Sequence, residues 1–193
     1  MPDKKPRGIN RGLTLIELII YIAISTLVLT ILFELFIQQT RLGNRRASQT
    51  DIERSAVTGI EIVKSAIQSA NTVVSSHSFD GVAFSSSSST LILELPSVDS
   101  SGDIVSGSSD FMVFFQDQNN QSLLKMTTVA GVGSARPSHT RVIANFVDTV
   151  QFSYNKGNIV LADTINVSLN TKTVIGTETL YKTTEAKIKI RNK

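Results

Sequence analysis

Three residues near the start of the chain have types and a spacing that make chemistry expected: Gly12, Leu13 and Glu17. They stand where a basic leader gives way to an apolar run, and from Leu13 to Phe33 the only charged side chain is Glu17. On insertion scales a carboxylate at mid-membrane costs about 2.5–3.5 kcal/mol, so a glutamate in such a run marks a functional site. The chemistry asked for is a partner of opposite charge.

Other constellations are poor by comparison. The two histidines, His77 and His139, lie in Ser/Thr-rich contexts read as loops, with no carboxylate or thiol at motif spacing. With no cysteine, thiolate metal sites and cysteine nucleophiles are excluded. No G-x-S-x-G, P-loop, H-E-x-x-H or EF-hand loop occurs. Asp99-Ser100-Ser101-Gly102-Asp103 reads as a polar turn rather than a calcium loop. Aromatics do not interleave with cations as they do in nucleic-acid binders, so no nucleic-acid partner is expected. The expectation is a non-enzyme without cofactor or metal.

The elements around Glu17 narrow its meaning. A secretory signal peptide would have a shorter apolar core followed by a small-residue cleavage site; here the run closes on Phe33-Glu34-Leu35-Phe36-Ile37-Gln38-Gln39. A plain signal anchor accounts for the run but not for Glu17. A buried soluble helix fits an all-apolar surface of this length less well than a membrane span does.

Arg7 to about Ile37, with Arg11-Gly12-Leu13-Thr14-Leu15-Ile16-Glu17 at its centre, resembles the prepilin-type signal of type IV pilins and type II secretion pseudopilins. Most family members carry phenylalanine where this chain has Leu13, a mild departure because the position needs an apolar side chain. The resemblance implies that a prepilin peptidase cuts between Gly12 and Leu13 and N-methylates Leu13. It implies further that Glu17 pairs with the new α-amino group of a neighbouring subunit and sets axial register. Opposite unit charges about 4 Å apart attract by about 4 kcal/mol at an effective dielectric of 20, and fixing register is the best-attested use of a buried ion pair. A contact within one chain, across four residues that rise about 6 Å, is the alternative.

Charge and hydropathy agree with a targeting leader. Residues 1–12 carry Lys4, Lys5, Arg7 and Arg11 against Asp3, a net +3, and the remaining residues have 15 basic and 15 acidic side chains. The basic isoelectric point therefore reflects the leader and not a binding surface. Positive flanks stay cytoplasmic, which predicts a single-pass protein of the cytoplasmic membrane, leader inside and everything after Gln38 outside.

The fold class expected is α+β. Residues 13–37 span lipid as a helix, and residues 38–74 continue it as an amphipathic helix. No proline interrupts the chain between Pro6 and Pro96, which predicts about 90 Å of nearly continuous helix from Leu13 to about Val74. Ile52, Ala56, Ile60, Val63, Ile67 and Ala70 form one apolar stripe that should pack on a sheet. Gly43 and Gly59 each cost about 1 kcal/mol relative to alanine, and Gly43 is read as a bend.

Residues 75–193 are read as an extracytoplasmic β-domain. Fourteen serines between Ser75 and Ser109 predict loops around one or two short strands, the clearest being Thr90–Leu95. Phe111–Phe115 and Ser122–Val129 are further strands. Phe146, Val150, Phe152 and Tyr154 are placed on one face of another, opposite Val147, Thr149, Gln151 and Ser153. Ile165–Leu169 and Thr184–Ile190 alternate apolar with polar, as half-buried antiparallel strands do. The last third resembles the minor pseudopilin J subgroup in Val142–Asp148, Val150–Tyr154 and Ile188–Asn192. The functional expectation is a minor pilin or pseudopilin. Its partners would be the peptidase, other pilin or pseudopilin subunits, an assembly platform protein, motor ATPases and membrane lipid. A single-pass, membrane-anchored binding or adhesion module is the alternative.

Overall fold

A computed structural model describes residues 14–79 and 81–191. The chain divides into two compact units, residues 1–46 and 47–193. Helix α1, Leu15–Ser69, belongs to both. It is followed by ten strands: β1 Thr72–Val73, β2 Ser76–Phe79, β3 Val82–Ser85, β4 Thr90–Val98, β5 Ile104–Gln116, β6 Leu124–Val129, β7 His139–Ala144, β8 Val147–Tyr154, β9 Thr164–Ile175 and β10 Glu178–Lys189. This is the expected α+β architecture, a long N-terminal helix packed on antiparallel sheets.

In the first unit α1 is apolar and unburied. An 18-residue window has mean hydropathy 2.5, long and apolar enough to cross a membrane, and none of it is covered by protein. The helix continues unbroken through Gly43.

In the second unit the stripe residues Ile52, Ala56, Ile60, Val63, Ile67 and Ala70 are all buried. Gly59 lies on the same face for a steric reason. A Cβ there would meet the Ala144 Cβ at 2.8 Å and the Leu169 Cδ2 at 3.3 Å. Close helix–sheet approach explains the poor helix former.

The helix ends at Ser69, not at the predicted residue 74. Asn71 N–H donates to Glu94 O at 2.8 Å and Val74 N–H to Ile92 O at 3.0 Å, so this stretch joins the sheet. Its β-branched Thr72-Val73-Val74 suits the extended backbone it adopts.

The sheets are β1-β4-β5-β6-β7, β10-β9-β8 and the hairpin β2-β3, every pairing antiparallel. One core joins Ala56, Ile60, Val63 and Ile67 of α1 to Leu91, Leu93 and Leu95 of β4, Phe114 of β5, Val150 and Phe152 of β8 and Ile165, Val167 and Leu169 of β9. A smaller cluster, Phe79, Ile92 and Val113, uses the residues of β4 and β5 that alternation points the other way.

The serine-rich stretch corrects the sequence reading: it holds β2, β3, β4 and the start of β5. Serine hydroxyls make this possible. Ser86 Oγ donates to Val74 O at 2.6 Å and accepts from Ile92 N–H at 3.1 Å, standing in for a backbone partner. Phe152 N–H donates to Ser88 O at 2.7 Å, and Tyr154 Oη–H to Ser87 O at 3.2 Å. The run is pinned at several points. His77 and His139 likewise lie on strands, β2 and β7, and not in loops.

β8 carries a second correction. Val147 is buried, with Val150 and Phe152, while Phe146 is exposed with φ +58°. Val147 pairs with Thr171 but Thr149 with Asn170, so Asp148 is an extra residue. A one-residue bulge moves the preceding side chain to the other face.

Candidate processing and assembly site

The described residues of the site open α1. Thr14 precedes the first helical residue, Leu15, and Glu17 lies in the first turn. Thr14 N–H and Thr14 Oγ1–H both donate to Glu17 Oε2 at 2.9 Å, and Glu17 N–H donates back to Thr14 Oγ1 at 3.4 Å. This is a reciprocal capping box. A Thr at the cap position and a Glu three residues on satisfy donors that a helix start otherwise leaves unpaired. The helix dipole also favours a carboxylate here.

Sequence reasoning found Glu17 but missed Thr14 as its partner. The signal was present: Thr14-Leu15-Ile16-Glu17 before an apolar run is the T-x-x-E pattern of such a box. The box occupies only one carboxylate oxygen. Among the described residues none donates to Glu17 Oε1, so acceptor capacity remains for a further donor. Gly12 and Leu13, the expected cleavage and methylation positions, lie outside the described residues.

Above the box three threonine hydroxyls bond back to the helix's own carbonyls. Thr26 Oγ1 donates to Ile22 O at 2.8 Å, Thr30 Oγ1 to Thr26 O at 2.9 Å and Thr40 Oγ1 to Phe36 O at 2.9 Å. These hydroxyls present no unmet demand to lipid. Leu15 to Phe36 otherwise shows side chains such as Leu18, Ile22, Leu29 and Phe33 about half exposed or more. A surface this apolar requires lipid or other helices to cover it.

Residues 7–33 match the family model described as the prokaryotic N-terminal methylation motif. The chain carries that motif. It is the signature that type IV pilin and pseudopilin precursors carry at their N-termini. The match takes in Gly12, Leu13, Thr14 and Glu17 together with the apolar start of α1. No curated protein matches the chain.

Elsewhere the charged and imidazole side chains have local uses. Among the described residues no group of three or more His, Cys, Asp or Glu side chains converges. The Asp99 carboxylate is used locally, accepting from Ser101 N–H at 2.8 Å and Asp103 N–H at 3.0 Å in a turn closed by Gly102 at φ +89°. His77 stacks on Phe111 with ring centroids 3.8 Å apart.

Proposed function

We propose that the chain is a minor pilin or pseudopilin, a structural subunit and not an enzyme. A prepilin peptidase cuts the precursor between Gly12 and Leu13 and methylates the Leu13 amine. The subunit waits in the cytoplasmic membrane as a single-pass protein, N-terminus inside and residues 75–193 outside. It then enters a type IV pilus or type II secretion pseudopilus by helix packing, aided by a platform protein. The observation that carries this reading is the Thr14–Glu17 box at the head of an uncovered apolar helix, immediately after Gly12-Leu13.

Glu17 gives the box its second role. Its free carboxylate oxygen accepts the Leu13 ammonium of an adjoining subunit, neutralising two charges that lipid disfavours and fixing register. Glu17→Gln keeps the side-chain size and removes the charge. The variant is expected to insert and be processed normally, yet its amount in the sheared filament fraction should fall at least about tenfold, the equivalent of about 1.4 kcal/mol of lost pairing. Wild-type recovery of the variant in that fraction would contradict the register role.

A further inference from the structure

A cleft of about 420 Å³ opens on the second unit where four segments meet: the end of β3, the start of β4, the β5–β6 turn and the bulge of β8. Its size lies in the range of small-molecule sites, roughly 300–1,000 Å³. The floor is aromatic. The rings of Phe84 and Phe115 have centroids 4.8 Å apart and are tilted by 47°. Around them stand the amides of Gln116, Gln118 and Gln121 and the carboxylates of Asp117 and Asp148.

We propose that this cleft is a binding site for a neutral sugar ring. A pyranose has an apolar C–H face, which the phenyl floor complements, and hydroxyls that both donate and accept. Primary amides do both as well. The side chains of Gln118 and Gln121 are exposed and make no hydrogen bond among the described residues, which leaves them to a ligand.

The charges of the cleft exclude its rivals. The lining holds no cation, and the lysines that pair with its two carboxylates are already engaged, so an anion would find no uncompensated positive charge. Each carboxylate is already paired with a lysine, Asp117 with Lys125 at 2.8 Å and Asp148 with Lys172, so an ammonium ligand would meet no uncompensated charge. The rim is held in place before any ligand arrives. Gln116 Nε2 donates to Asp148 O at 3.1 Å and also to Gln121 O. Asp117 N–H donates to Leu123 O at 2.9 Å, and Ser122 N–H to Asn120 Oδ1 at 3.1 Å. Pre-organisation of this kind lowers the ordering cost of binding.

The site is independent of filament assembly, and its test leaves that reading untouched. Full-length protein in a sugar-free detergent is probed by saturation-transfer NMR. The probes are glucose, galactose, mannose and N-acetylglucosamine, with their β-1,4-linked disaccharides, each at about 10 mM; glucuronate and tetramethylammonium serve as controls. Small ligands in an open cleft bind weakly, so dissociation constants on the order of 1–10 mM are expected. The Gln118→Ala, Gln121→Ala double variant alters only an exposed turn and should keep the wild-type melting curve. It is expected to weaken binding about tenfold, as loss of ligand hydrogen bonds does. Transfer to a neutral sugar that the double variant reduces supports the site. No transfer to any neutral sugar, undiminished transfer in the variant, or transfer only to a charged control overturns it.

Discussion

Glu17 and Thr14 answer each other at the residue scale. A carboxylate in an apolar run is legible in sequence because every insertion scale penalises it; that it also caps the helix was equally legible and depends on the T-x-x-E spacing. Gly59 is the opposite case, since its local cost suggests a flaw and only the approach of Ala144 and Leu169 gives the reason. Gly59→Ala gains helix propensity of about 1 kcal/mol but forces a Cβ into those neighbours. The net result expected is destabilisation by about 1–2 kcal/mol, read from denaturant unfolding of the full chain in detergent. Asp163 supplies a pH signature. The Lys156 ammonium at 3.1 Å, with Asn155 and Thr164, holds its carboxyl down to about 2. A carboxyl depressed in the folded state contributes stability above its unfolded value of 3.8 and loses it as pH falls towards about 2. Asp163→Asn should therefore be less stable than wild type at neutral pH and converge with it near the acid end of that window, as thermal melts across pH will show.

At the scale of elements, the loop after β6 is tied to the sheet by one buried carboxylate. Asp110, fully buried on β5, accepts from Ser97 Oγ at 2.7 Å, Gly131 N–H at 2.7 Å, Ser134 Oγ at 2.9 Å and the Arg136 guanidinium. Gly131 admits no side chain, because a Cβ would fall 2.5 Å from Ser109 O. Arg136→Leu leaves a buried carboxylate without its cation and should cost about 3 kcal/mol. Asp110→Leu with Arg136→Leu should cost less than Arg136→Leu alone, a comparison that a double-mutant cycle measures. Elements were legible where burial is periodic: the α1 stripe and the alternation of β9 both repeat through their length. They were obscure where tertiary partners decide. The helix ends at Ser69 because residues 71–74 find hydrogen bonds on β4, and nothing local in Ala70-Asn71 announces that. The serine run reads as loop by composition, yet Ser86 completes a strand junction through its hydroxyl. The bulge at Asp148 left no sequence signal, and it exchanged Phe146 for Val147 in the core.

For the whole molecule, charge and hydropathy divide the labour along the chain. The leader holds the entire net +3 of the protein and the rest is balanced. The proposed cut after Gly12 would therefore leave a chain whose side-chain charges balance, headed by an apolar helix and one carboxylate. The domain after it needs no disulfide, there being no cysteine, because a single core joins α1 to both larger sheets. The central claim is that this chain is a processed precursor, and the most direct test is its intact mass from cells with and without an active prepilin peptidase. The account predicts loss of residues 1–12 together with one added methyl group on Leu13, only where the enzyme is active. A chain still beginning at Met1 or Pro2 in the presence of active enzyme would contradict it and leave a membrane-tethered binding module in its place.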